Sequence, residues 1–190
     1  MTDTGGFEIL SEELTYTGPV VTTHLLQIRT PDGDQMDREV TRHPGAVAVV
    51  PVDGDDVIML RQFRAAVGHV ILEIPAGKQD VPGEAPELTA NRELVEEIGY
   101  SAGSVELLGR FINSPGFCDE RCWIFLGTDL TPAERSFDGA EEAHMEIVRV
   151  PLSSVPDLVS SGEIEDAKSL LGLQWLMLKT DLVPGAHGAG

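Results

Sequence analysis

Positive charge is scarce in this chain. Thirteen lysines and arginines stand against 32 aspartates and glutamates, for a formal net charge of −19. Nucleic acid and anionic membranes both recruit basic patches, so neither is expected as a partner. Cysteine is nearly absent as well. Cys118 and Cys122 are the whole supply, too few ligands for a zinc site, and they read as free thiols in a reducing compartment. No apolar run approaches the ~18–20 residues needed to span a bilayer. The start of the chain lacks the basic-then-apolar pattern of a secretion signal. The expected location is therefore the cytoplasm.

What is present suits one globular domain with an appendage: 190 residues, 42% of them hydrophobic. From Phe7 to Arg42 the pattern is β-like, with Val20, Thr22, His24, Leu26 and Ile28 alternating against their neighbours. Pro31-Asp32-Gly33-Asp34 is a turn signal. Together they predict a small antiparallel N-terminal sheet of about three strands. A hairpin is expected from Ala46–Val52 and Val57–Phe63 across Asp53-Gly54-Asp55, then a strand from His69 to Pro75. Further strands are expected at Ser104–Ile112, Arg121–Gly127 and Met145–Pro151, and helices at Leu152–Ser160 and Ile164–Lys179. Residues 131–144 read as a mobile acidic loop, and 183–190 as a disordered tail. Strands around two main helices suggest an α/β sandwich.

The most informative stretch runs from Ala76 to Tyr100. On a helix over residues 85–98, Glu93, Glu96 and Glu97 fall within one arc of roughly 100°. Leu88, Leu94, Val95 and Ile98 fall on the opposite, core-facing arc. Three carboxylates on one face repel one another unless something positive sits among them. Hard divalent cations such as Mg²⁺ or Mn²⁺ fit, because they prefer oxygen ligands. Against this stands the bland alternative of a solvated acidic helix face. The preceding glycine loop, Arg92 directly before Glu93, and the Gly99 stop signal weigh against that alternative.

These residues closely resemble the Nudix box of the Nudix hydrolases, in which a glycine, five residues, a glutamate and seven residues lead into Arg-Glu-apolar-x-Glu-Glu-x-Gly-apolar. Every fixed residue from Glu84 to Tyr100 matches, with one extra residue between Gly77 and Glu84 that the Pro82-Gly83 turn is expected to absorb. Flanking segments resemble the ADP-ribose pyrophosphatase branch: Arg38-Glu39-Val40, Arg61-Gln62-Phe63-Arg64, Ser114-Pro115-Gly116, and Ile164-Glu165-Asp166-Ala167-Lys168-Ser169.

The resemblance implies an α/β/α sandwich around a mixed sheet over residues 43–182, with residues 1–42 as an N-terminal β-sheet on the adenosine side. It implies a homodimer that shares this sheet. Without a partner, the sheet and the apolar face of the last helix would have little to bury against. The implied reaction is Mg²⁺-dependent hydrolysis of ADP-ribose to AMP and ribose 5-phosphate. Glu93, Glu97 and the Ala76 carbonyl are the implied metal ligands, with Glu96 a ligand or a support for one. Arg92 is implied to pair with Glu84 or another carboxylate. Glu142, with Glu141 beside it, is the implied base. Arg38 and Glu39 would meet adenine, Arg64 a phosphate, and Gly116, Phe117 and Glu120 the ribose end. Phe117 either stacks or only packs. Trp123 and Trp175 are expected in the core. The competing expectations are another nucleoside diphosphate-linked substrate, such as a nucleotide sugar, NADH or a diadenosine polyphosphate, and a Nudix-like binding domain without catalysis.

Overall fold

The computed structural model describes residues 3–135 and 144–180. They divide into two compact units, one made of residues up to 45 with 112–121, the other of residues 46–111 and 122 onward.

The first unit is a three-stranded antiparallel sheet in the order β1-β2-β3, with β1 at Glu8–Thr17, β2 at Thr22–Arg29 and β3 at Gln35–Arg42. The expected three strands and the turn at Gly33 are in place. Of the alternating residues of β2, Leu26 alone is fully buried. Ile9, Leu14 and Tyr16 on β1 are exposed. Residues 112–121 join this unit through Thr41, whose N–H donates to the Phe117 carbonyl at 2.7 Å and whose carbonyl accepts from the Asp119 N–H at 3.2 Å.

The second unit is built on a seven-stranded mixed sheet in the order β10-β5-β4-β9-β8, with β6 pairing β5 and β7 pairing β4. These strands are β4 (Ala46–Asp53), β5 (Asp56–Arg64), β6 (His69–Glu73), β7 (Ala76–Lys78), β8 (Tyr100–Ile112), β9 (Arg121–Pro132) and β10 (Glu146–Pro151). The β4–β9 pair is parallel, in the register Ala46↔Cys122 to Pro51↔Gly127. Strands buried on both faces read as unbroken apolar runs, and β4 is one. Its Val47 and Val49 join a core with Ala90, Leu94 and Ile98 of helix α1 (Pro86–Ile98). Its Ala48 and Val50 join another with Leu173 and Leu176 of helix α3 (Ala167–Lys179). Helix α2 (Val155–Ser160) adds Val155 to the α3 side. The sheet therefore lies between α1 and α3, the expected α/β/α sandwich.

Four expectations need correction. β8 starts at Tyr100 rather than Ser104, and β9 continues to Pro132 rather than stopping at Gly127. The last helix begins at Ala167, where Asp166 caps it by accepting the Ser169 N–H. The apolar face of that helix is covered by its own sheet, so it needs no partner to bury against. Trp175 packs on the α3-side core and Trp123 on the α1-side core, as expected. Cys118 and Cys122 form no disulfide.

Candidate active site

Helix α1 has no side-chain cap at Ala85. It starts on Pro86 and ends on Gly99, whose left-handed backbone lets its N–H reach the carbonyls of Leu94 and Val95. Its buried residues are Thr89, Ala90, Glu93, Leu94, Glu97 and Ile98. At about 100° per residue these form one continuous face, with Thr89, Glu93 and Glu97 along one half and Ala90, Leu94 and Ile98 along the other. The acidic arc is thus part of the buried face rather than opposite to it: Glu93 is 8% exposed and Glu97 5%. The expectation for Leu88 fails, since it is 64% exposed. It lies well outside the buried arc, and an apolar residue at a helix start can simply face water.

The backbone holds Glu97, whereas Arg92 is shared by Glu84, Glu93 and Glu96. The Ala76 N–H donates to Glu97 Oε2 at 2.8 Å. Glu93 lies over Gly77 so closely that a Cβ there would fall 1.8 Å from Glu93 Cδ, so any side chain at this position would have to displace the Glu93 carboxylate. Arg92 Nη1 lies 2.9 Å from both Glu93 Oε1 and Glu96 Oε2. Its Nη2 lies 3.5 Å from Glu84 Oε2, and Thr89 Oγ1 donates to that same oxygen at 2.8 Å. Arg92 Nε is buried with no partner among the described residues. The extra residue before Glu84 is taken up in a turn where the Glu84 N–H returns to the Val81 carbonyl, with Pro82 and Gly83 at its centre.

Glu93, Glu96 and Glu97 do not converge on one point. Among the described residues no group of three or more acidic, imidazole or thiol side chains is arranged to hold a metal ion. Arg92 draws Glu93 and Glu96 to itself, while the backbone draws Glu97 to Ala76. The positive charge among the carboxylates is here a guanidinium. Burial pushes Glu93 up to about 7, against the pull of Arg92. Burial likewise pushes Glu97 up to about 8, opposed by the Ala76 N–H and reinforced by Glu93. Two neighbouring buried carboxylates that hold protons near neutrality, beside the Ala76 backbone, make an oxygen-only donor set. That set suits a hard divalent cation.

Arg64 is not the free fork that bidentate phosphate binding requires. Its Nε and Nη2 donate to Glu73 Oε1 and Oε2 at 2.7 and 3.0 Å. Glu73 is wholly buried and also pairs with Lys168. Neither Glu73 nor Lys168 is picked out by sequence spacing. The available signal was a glutamate closing the apolar run Val70-Ile71-Leu72, where a buried charge demands partners.

In the first unit, Arg38 and Glu39 are exposed and adjacent on β3, so the pleat sends them to opposite faces of the sheet. The loop that carries Gly116, Phe117 and Glu120 is fixed to β3 by Asp119. Its Oδ1 accepts the His43 N–H at 2.9 Å, and its Oδ2 accepts from Arg42 Nη1 at 3.1 Å. Glu120 Oε2 accepts from Asn113 Nδ2 at 2.8 Å. Phe117 is 59% exposed, and nothing lies within 4 Å of where a Gly116 Cβ would stand. Glu141 and Glu142 lie outside the described residues.

A family model of the NUDIX domain matches residues 41–184. An ADP-ribose pyrophosphatase of Bacillus subtilis is 40% identical over 174 residues, which cover 91% of this chain and 94% of that one. A methanol dehydrogenase activator of Bacillus methanolicus is 33% identical over the same shares of each. An ADP-ribose pyrophosphatase of Mycobacterium tuberculosis is 38% identical, covering 88% of this chain and 81% of its own. A crystal structure of an ADP compounds hydrolase superposes with a TM-score of 0.83 at 24% identity, over 96% of this chain and 100% of that chain, and so shares its fold. With the model spanning most of the chain and the Ala76–Tyr100 stretch folded as described, this chain belongs to the Nudix hydrolase family.

Proposed function

We propose that the chain hydrolyses the diphosphate of ADP-ribose, with water, to AMP and ribose 5-phosphate, using Mg²⁺ or, in its place, Mn²⁺. The observation that carries this reading is the pair of buried carboxylates, Glu93 and Glu97, folded against Gly77 and the Ala76 backbone. The two ADP-ribose pyrophosphatases among its relatives support the choice of substrate.

Glu93, Glu97 and the Ala76 carbonyl would hold the cation, with Glu96 a ligand or a support. When bound, the cation neutralises charge gathering on the diphosphate and makes water more acidic. Arg92, tied to Glu84, Glu93 and Glu96, sets the direction of the box carboxylates. Arg64 meets a phosphate oxygen end-on, through the Nη1 that Glu73 leaves free. Glu142, or Glu141 beside it, takes the proton of the attacking water. Arg38 and Glu39 serve the adenine, and Gly116, Phe117 and Glu120 the ribose end. The working form is a homodimer sharing the N-terminal sheet.

A panel of nucleoside diphosphate derivatives, run with Mg²⁺, with Mn²⁺ and with excess chelator, tests this. AMP from ADP-ribose, lost with chelator and in Glu97→Gln, is the expected result. Turnover that survives the chelator would sink it. The panel includes nucleotide sugars, NADH and diadenosine polyphosphates. The opposite faces taken by Arg38 and Glu39 leave the base contact open to them. For the base, Glu142→Gln is expected to lower kcat by about 10²–10⁴ with metal affinity kept. An unchanged kcat passes the role to Glu141 or to a box carboxylate.

A further inference from the structure

Outside the box, the described residues hold one buried network of charges. Glu73, the last residue of β6, is 0% exposed and is met by two cations, Arg64 and Lys168. Lys168 Nζ is held in turn by Asp166 Oδ1 at 2.8 Å. Asp166 accepts the Ser169 N–H at 2.9 Å, and Ser169 Oγ accepts the Ile74 N–H at 2.9 Å. The bonds thus run from the start of α3 to the backbone two residues before Ala76. Two cations and two anions balance, which is what lets the cluster stay buried.

The members are not equally placed. The Glu73, Lys168 and Asp166 side chains are 1%, 14% and 15% exposed, whereas that of Arg64 is 37% exposed. Three sheltered groups therefore hold one that reaches solvent. Arg64 Nη1 has no partner among the described residues, while Nε and Nη2 are fixed on Glu73. Ser169 holds the Ile74 N–H, and two residues further on the Ala76 N–H donates to Glu97, which sets the network beside the box. A clamp that only joined β6 to α3 would need no arginine at its open end, because apolar packing of equal volume does that as well or better.

We propose that Lys168 is a positioning residue that acts through Glu73 to aim Arg64 at the substrate's diphosphate, an inference that rests on the phosphate role given to Arg64 above. Lys168 touches no substrate. It fixes the Glu73 carboxylate, and that carboxylate fixes the plane of the guanidinium.

A double-mutant cycle on the full chain tests this. Lys168→Met, Arg64→Met and the pair are compared in kcat/KM on the substrate that the panel shows to be turned over. Lys168→Met alone is expected to lower kcat/KM by about ten- to a hundredfold. In the Arg64→Met background it is expected to change kcat/KM by less than about twofold, because residues acting in one chain are not additive. A purely structural role would lower both backgrounds equally. Equal loss in the two backgrounds, or no loss in the first, overturns the proposal. If Lys168→Met does not fold, Lys168→Gln carries the same cycle. A chain that turns over no member of the panel defeats the functional reading and this inference together, whereas an additive cycle on a working substrate defeats this inference alone.

Discussion

At the scale of single residues, the site is made by what lies under the carboxylates. Gly77 is needed because Glu93 occupies the space of its missing side chain. Gly77→Ala is expected to push Glu93 aside, weaken Mg²⁺ binding measured by calorimetry, and lower kcat/KM by about 10²-fold, while the circular dichroism of the fold stays unchanged. The buried pair also gives the metal-free protein a pH dependence of definite sign. Glu93 and Glu97 have pKa values near 7 and 8 in the folded chain, above the ordinary 4.5. Between those limits the folded state binds more protons than the unfolded one, so their contribution to stability falls as pH rises from about 4.5 to about 8. Thermal melts without metal should show this decline, and Glu93→Gln with Glu97→Gln should flatten it. A cation displaces those protons, so added Mg²⁺ should raise the melting temperature more at pH 8 than at pH 6.

At the scale of elements, much was legible because it depends on spacing. The period of α1, its Gly99 stop, the Asp53-Gly54-Asp55 hairpin and the three N-terminal strands all follow from local pattern. What was illegible depends on tertiary position. The spacing of α1 groups its glutamates, but it does not say that β7 and Gly77 will cover them while Leu88 is left in water. The Glu73–Lys168 pair joins residues 95 positions apart, and no periodicity announces such a bond. The α3 face showed its apolar residues without showing what covers them, and the answer is the chain's own sheet. Leu173, fully buried there, and Leu178, exposed on the same helix, measure this. Leu173→Ala should cost about 2–5 kcal/mol in urea unfolding, and Leu178→Ala no more than about 0.5 kcal/mol.

At the scale of the whole molecule, the proposed homodimer makes a prediction about mass. Ile9, Leu14 and Tyr16 leave apolar surface on β1. Sedimentation should report twice the 20.5 kDa of one chain. Leu14→Glu with Tyr16→Glu should shift it toward the single-chain mass and reduce turnover, and a mass unmoved by those changes would remove β1 from the interface. A last consequence follows from how the backbone is threaded. The strand-rich unit takes residues up to 45 and then a second segment, 112–121, so the polypeptide passes between the two units three times, at 45/46, 111/112 and 121/122. A single protease nick at any one crossing leaves two covalent tethers intact. The small unit therefore has no excisable N-terminal fragment equivalent to it, because cutting away residues up to 45 would also strip Thr41 from Phe117 and Asp119.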